Sequence, residues 1–309
     1  MTAASHHATP VDLAVERMRA VYRGWNRQTS VEQMRRDWDA AFGGCSVPVS
    51  CQKTLVGSLD GEWIVPSDAA PRKAILYFHG GGFRIGSIES HRDLIARLAL
   101  ASGCRALAID YRLAPEHRFP AALQDAIAAW DWLVGQGYDP CNIALAGDSA
   151  GGNLVLAAML DLGRRDRELP AAAALMSPWT DMAATGASYQ NRSKADPIHQ
   201  RSMILALAQD YLGEHGDSRN PLASPLYGDF TGFPPLLIQV GDCETVRDDS
   251  TMLAEKARAA GVAVELQVWD EMIHVFQMFP EIPQAQQAID SIAAFLRRHL
   301  ANAQGEAHR

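Results

Sequence analysis

The sequence has no C-x-x-C pair, no apolar run of 18 or more residues and no Lys/Arg stripe. Each absence removes a class of function. Its five cysteines, Cys45, Cys51, Cys104, Cys141 and Cys243, are odd in number and scattered. That pattern argues against a disulfide framework or a thiolate metal site and leaves reduced, mostly buried thiols. The 28 Lys and Arg are outnumbered by 36 Asp and Glu, for a net charge of −8, which speaks against a nucleic-acid partner. Without a long apolar run no membrane span is expected. Met1 to Pro10 is polar and lacks the apolar region of a signal peptide, so a cytoplasmic protein is expected.

Hydrophobic residues make up 48% of the 309 positions, enough to bury a large core in one enlarged domain. Short apolar runs alternate with helix-like segments. Strands are predicted at 53–59, 62–65, 74–78, 105–110, 143–146, 172–177, 236–240 and 263–269, and helices near 90–102, 120–135, 152–165, 249–260 and 285–300. This is the pattern of a mostly parallel sheet covered on both faces. The first two strands read as an antiparallel hairpin turning at Asp60-Gly61. Two segments stand outside the alternation. Residues 9–42 read as two amphipathic helices with Leu13, Met18, Val21, Trp25, Met34, Trp38 and Phe42 on apolar faces. Residues 180–230 form a polar insertion punctuated by Pro and Gly, with a helix at 198–212.

The chemistry concentrates at Gly147-Asp148-Ser149-Ala150-Gly151, which follows the apolar run at 142–146 and opens into a helix-like segment. A G-x-S-x-G turn between strand and helix is a nucleophile elbow. Glycine flanks it because a Cβ at either position would strike the strand or the helix start. The serine hydroxyl is lifted out of the sheet and sits at a helix N-terminus, where unpaired N–H groups favour a developing anion. Asp148 is expected to brace the elbow through hydrogen bonds. Upstream, the strand at 74–78 runs into His79-Gly80-Gly81-Gly82-Phe83. Consecutive glycines there pack nothing, but they let an oxyanion approach backbone N–H groups, which points to Gly81, Gly82 and Ala150 as donors.

These motifs, with Asp110-Tyr111-Arg112-Leu113-Ala114-Pro115-Glu116-His117-Arg118-Phe119-Pro120-Ala121-Ala122, resemble the hormone-sensitive-lipase-like branch of the α/β-hydrolases, the bacterial family IV esterases. The resemblance runs from about residue 50 to residue 300. It implies an α/β-hydrolase fold with an eight-stranded, mostly parallel sheet. Residues 1–45 would be the N-terminal part of a helical cap, and 46–309 the catalytic domain with a cap insertion at about 180–230. In the segment from Tyr111 to Ala122, Pro115 and Pro120 fix the chain direction and the charged residues are expected to pair with one another.

The fold's order of serine, acid and histidine directs the search for a base late in the chain. His274 lies just after the predicted strand at 263–269. His6, His7 and His308 fall near the termini, and His199 and His215 fall in the presumed cap. His79 opens the oxyanion loop and is expected to orient it; His91 begins a helix, and His117 lies in a loop. Four acids follow the strand at 236–240: Asp242, Glu244, Asp248 and Asp249. The family usually places aspartate first in a D-x-x-x-D spacing, and Glu244 to Asp248 matches it with glutamate first. Glu244 is therefore the expected partner of His274, with Asp248 next in line or acting as a helix cap. Cys243, beside Glu244, is a candidate for inhibitory modification.

These parts imply a serine carboxylesterase that forms an acyl-enzyme on Ser149 and needs no cofactor or metal. Phe83, Tyr189, Met203, Leu207 and Phe276 are expected to line an acyl pocket for short to medium chains. The same triad would serve a lactone, an amide or an N-acetyl substrate, and relatives that lose a triad member act as small-molecule binding proteins. The last strand would lie at a sheet edge, open to pairing with a second copy.

Overall fold

Alternate residues of the central strands are apolar on both sides, so each strand is suited to burial between two helical layers. The structure, a computed structural model, describes residues 8–302; the expectations for His6, His7 and His308 lie outside the described residues. Eight strands form one sheet: β1 (Ser50–Val56), β2 (Leu59–Val65), β3 (Ala70–Phe78), β4 (Cys104–Ile109), β5 (Ile143–Asp148), β6 (Ala172–Met176), β7 (Leu236–Gly241) and β8 (Val264–Trp269). Their order is β1-β2-β4-β3-β5-β6-β7-β8. The β1–β2 and β2–β4 pairs are antiparallel, and the other pairs are parallel.

The helices are α1 (Pro10–Gly24), α2 (Val31–Phe42), α3 (Ile88–Ser102), α4 (Ala121–Gly135), α5 (Ala150–Arg164), α6 (Ser188–Asn191), α7 (Arg201–Leu212), α8 (Arg247–Ala259) and α9 (Pro283–Asn302). Ile75 and Tyr77 of β3 face a core shared with Leu94 and Leu98 of α3 and Ile292 and Phe295 of α9. Leu76 and Phe78 face the opposite core, with Trp130 of α4, Leu154 of α5 and Leu253 of α8. The sheet is thus sandwiched, and its C-terminal edge is left for the loops after β3, β5, β7 and β8.

Helices α1 and α2 precede the sheet. Thr9 caps α1 by accepting the Asp12 N–H at 3.1 Å while the Asp12 carboxylate accepts the Thr9 N–H at 2.8 Å. Ala14, Val15, Met18, Trp38 and Phe42 pack against Phe276, Phe279 and Ile282. Leu13, expected on the apolar face, is 58% exposed and lies off it. Arg35 of α2 ties this pair to the core, pairing with Glu116 at 2.7 Å and donating to the Arg84 and Ala114 carbonyls. The charged residues of the segment from Tyr111 to Ala122 therefore do not pair among themselves: Glu116 meets Arg35, and Arg112 meets Asp125 of α4 at 2.7 Å. Among the described residues, no helix is long and apolar enough to cross a membrane.

The hairpin turn corrects the expectation of Asp60-Gly61. Val56 pairs with Leu59, so the two-residue loop is Gly57-Ser58, with Gly57 at φ +65°, and β1 begins three residues earlier than expected. Gly61 sits inside β2 because the sheet is tight there: a Cβ would lie 2.8 Å from Val56 Cγ2. Around Gly57 there is open space, so the cost of a side chain there is purely conformational. Gly57→Ala should lower stability by about 1 kcal/mol in urea titration and leave activity intact, since the β1–β2 turn, although at the same edge as the functional loops, lies at the end of the sheet beyond β4 and β3 from the serine turn after β5.

Candidate active site

Strand β5 ends at Asp148 and α5 begins at Ala150, which leaves Ser149 alone at the turn with φ 50° and ψ −117°. Such a conformation costs a non-glycine residue about 1–3 kcal/mol and persists only where its surroundings enforce it. Here the Ser149 N–H donates to the Met176 carbonyl at 2.8 Å, and the Ser149 carbonyl accepts the Asn153 and Trp179 N–H groups at 3.1 Å each. The flanking glycines are required by contact. A Cβ on Gly151 would stand 1.9 Å from the Phe78 carbonyl oxygen, and one on Gly147 would stand 2.6 Å from Gly151.

The Ser149 hydroxyl lies 2.9 Å from His274 Nε2, and His274 Nδ1 lies 2.6 Å from Glu244 Oε2. Since a carboxylate only accepts, Nδ1 carries the proton and Nε2 is left to accept from the serine. The Glu244 side chain is fully buried. Its second oxygen accepts the Ser177 hydroxyl at 2.7 Å and the Gly241 N–H. Ser177, held at φ +47°, also accepts the Val275 N–H at 3.2 Å and so links the Glu244 loop to the loop carrying His274. No motif in the sequence marked it. Burial pulls the His274 pKa down, but the charge and hydrogen bond of Glu244, with Asp196 and Asp148 behind, outweigh it and hold the imidazole above its ordinary value.

The other acids of this loop are occupied elsewhere. Asp248 accepts the Ser188 N–H at 2.8 Å, and Asp242 pairs with Arg192 and Arg247. Asp249 accepts the Thr180 and Asp181 N–H groups at 2.7 and 2.9 Å, and burial pushes its carboxyl up to about 8. Cys243 is half-buried and is not among the residues lining the cavity at Ser149.

The loop after β3 carries Gly81 at φ +111° and Gly82 at φ +63°. Among the described residues, no acceptor engages the N–H groups of Gly81, Gly82 or Ala150. Asp148 joins this loop to the elbow: its Oδ1 accepts the Gly80 N–H at 3.0 Å and the Tyr77 hydroxyl at 2.7 Å. A Cβ on Gly80 would lie 2.0 Å from Asp148 Oδ2. His79 is buried and stacks on Tyr111 at 4.3 Å; its carbonyl accepts the Tyr111 hydroxyl at 2.6 Å. Burial, with the neighbouring His91, lowers the His79 pKa to about 3, so that ring is neutral. His91 Nδ1 lies 3.1 Å from the Ser87 carbonyl oxygen and Nε2 lies 3.4 Å from Asp148 Oδ2. Ser90 Oγ also lies 3.0 Å from Nδ1, while the Ser87 carbonyl and the Asp148 carboxylate can only accept, which suits a doubly protonated ring. Burial opposes charge on each member of this pair, and their mutual attraction prevails, raising His91 and lowering Asp148.

A cavity of about 360 Å³ opens over Ser149, His274, Gly81 and Gly82. Met203 and Leu207 of α7 line it. Phe83, Tyr189 and Phe276 do not: Phe83 turns away to stack on Tyr211 at 3.9 Å, Phe276 packs on Trp269, and Tyr189 is buried in the core on the α4–α5–α8 side of the sheet. Their place is taken by Met18, Tyr22, Trp25, Met34 and Trp38 of the N-terminal segment and by Met278 and Phe279. His199 of the insertion also lines the cavity, its ring edge-on to His274 at 4.5 Å.

Because the α5 start touches the end of β3 directly, Gly151→Ala should displace Ser149 by a substantial fraction of an ångström. Activity should fall about 100-fold or more, accompanied by a lower Tm, measured by ester hydrolysis and thermal melt.

Residues 75–278 match the family described as alpha/beta hydrolase fold. An acetyl-hydrolase of Streptomyces hygroscopicus is 42% identical over 275 residues, covering 88% of this chain and 91% of that protein. An esterase of Acinetobacter venetianus is 36% identical over 232 residues, covering 75% and 77%. The crystal structure of an esterase from the bacterial hormone-sensitive lipase family superposes with a TM-score of 0.90 at 40% identity, covering 97% of this chain and all of that one. With its sheet order, its strained serine turn and the glycines of the loop after β3, this chain belongs to the hormone-sensitive-lipase-like branch of the α/β-hydrolase family and is a serine carboxylesterase.

Proposed function

We propose that the protein cleaves short- to medium-chain acyl esters through an acyl-enzyme on Ser149. The observation that carries this reading is the unbroken line from Glu244 through His274 to Ser149, which ends in a largely apolar cavity. His274 Nε2 takes the hydroxyl proton as Ser149 Oγ attacks the ester carbonyl carbon. The oxyanion that forms accepts from the Gly81, Gly82 and Ala150 N–H groups, each donor worth about 3 kcal/mol of barrier. His274 then protonates the departing alkoxide, and water activated by the same ring hydrolyses the acyl-enzyme. Glu244 keeps the imidazole in one tautomer and stabilises its charged form. None of these steps calls on a cofactor.

The N-terminal helices with the insertion at 180–230 are proposed to act as one cap, since α1, α2 and α7 all contribute to the cavity wall. A cavity of about 360 Å³ with a mainly apolar wall suits an apolar acyl group, and the acetyl-hydrolase relative fits the short end of the proposed range. Free thiols at all five cysteines suit the reducing cytoplasm. Edge strand β8, with Val268 42% exposed, offers a second copy a surface for homodimer formation.

A series of p-nitrophenyl esters from acetate to laurate tests the assignment. Short esters should turn over fastest. Ser149→Ala should lose about 10⁴-fold or more, and Glu244→Gln about 10³- to 10⁴-fold, whereas Asp248→Asn should stay within about tenfold because its partners are the Ser188 N–H and Arg247 rather than His274. Equal loss from Glu244→Gln and Asp248→Asn would contradict the role given to Glu244. The pH profile supplies a further check: a base must be neutral to act, so kcat/KM should rise with pH to a plateau with its midpoint above 6.5, the ordinary histidine value.

A further inference from the structure

We infer that Asp196, in the insertion between β6 and β7, is a positioning residue for His274: it fastens the insertion to the turn carrying Glu244 and holds His199 against the His274 ring. The inference rests on the catalytic reading of Ser149, Glu244 and His274. Asp196 Oδ2 accepts the Thr245 N–H at 2.8 Å and the Thr245 hydroxyl at 3.1 Å. Asp196 Oδ1 accepts the Ile198 and His199 N–H groups at 3.0 and 2.7 Å. One carboxylate thus binds two pieces of chain: the insertion just before α7, and the residue next to Glu244.

The arrangement also has an electrostatic side. The Asp196 side chain is 1% exposed, and among the described residues no Lys or Arg pairs with it. Its charge is stabilised by four polar donors and is cancelled by no cation, so its field reaches its neighbours with little screening. Those neighbours include Tyr22 of α1, whose phenol is pushed upward by burial and then by Asp196. The groups that face His274 are Glu244 from the loop after β7, Asp148 from the elbow, and Asp196 and His199 from the insertion. His199 is neutral, since burial and then the charge of His274 lower it to about 4. Its Nδ1 lies 3.7 Å from Asp196 Oδ1, too far for a hydrogen bond, so the ring is positioned through its backbone and presents an edge to His274.

Removing the Asp196 charge would take away one of the anions that favour imidazolium. The His274 pKa would fall, and the acidic limb of the activity profile would move to lower pH, although the plateau is reduced. Loss of packing alone would scale activity at every pH and leave the limb in place.

The test is the pH dependence of kcat and KM for p-nitrophenyl acetate with the full chain, Asp196→Asn, Thr245→Val and His274→Ala, each checked by circular dichroism and thermal melt. Asp196→Asn should lower plateau kcat about tenfold with KM within about threefold, and shift the acidic limb down by about half a pH unit or more. Thr245→Val keeps the carboxylate; it should lower kcat about threefold without lowering the limb. A folded Asp196→Asn enzyme whose limb stays in place overturns the inference, whatever its plateau activity. If Asp196→Asn does not fold, Thr245→Val decides: an unchanged kcat overturns the staple, and a reduced kcat with unchanged KM supports it. An active His274→Ala enzyme is the separate signature of a wrong catalytic assignment and overturns the inference with it.

Discussion

A serine can stand above the end of this sheet only because the first turn of α5 lies in direct contact with the last residue of β3. At Gly151 there is no room for even one carbon between the helix and the Phe78 carbonyl. That contact forces the chain to reverse within a single residue and imposes a positive φ on Ser149. It also brings the elbow beside the loop that follows β3. Gly81 and Gly82 of that loop therefore line the same cavity as Ser149. Strain at one residue, sustained by a packed core on each face of the sheet, makes the approach of the two loops permanent.

Behind this approach runs a network of buried polar groups that hold one another in place. Asp148 holds Gly80, Tyr77 and His91, and Tyr111 holds the His79 carbonyl. On the other side, Glu244 is shared between His274, Ser177 and Gly241. In a low-dielectric interior such bonds are strong, and an unpaired member is costly, so the network allows few alternative arrangements. Asp196 extends the same logic outward, joining the loops over the sheet to the helices above them.

Several features were legible before any coordinates because they depend on short-range constraints. Alternating apolar runs specify strands buried on both faces, and glycine triplets or G-x-S-x-G turns carry their geometry with them. The long-range pairings were less accessible. The hairpin turn fell at Gly57 rather than at Asp60-Gly61, because glycine serves close strand contact as well as turns. Phe83, Tyr189 and Phe276 pack away from the cavity, while Met18, Tyr22, Trp25, Met34 and Trp38 enter it. An apolar side chain has the same composition whether it faces a core or a substrate. Ser177, Asp196 and His199 had no motif to mark them, since each acts through a partner far away in the chain.

By itself, the sequence determined the class of fold, the family and the small set of residues from which a serine, a base and an acid had to be drawn. These follow from local spacing and backbone sterics. The tertiary structure decided which of four neighbouring acids reaches His274, which helix faces the cavity and which buried groups carry charge. Those outcomes depend on distances of a few ångströms between segments remote in the chain, where burial and Coulomb terms of similar size compete and only geometry determines the winner.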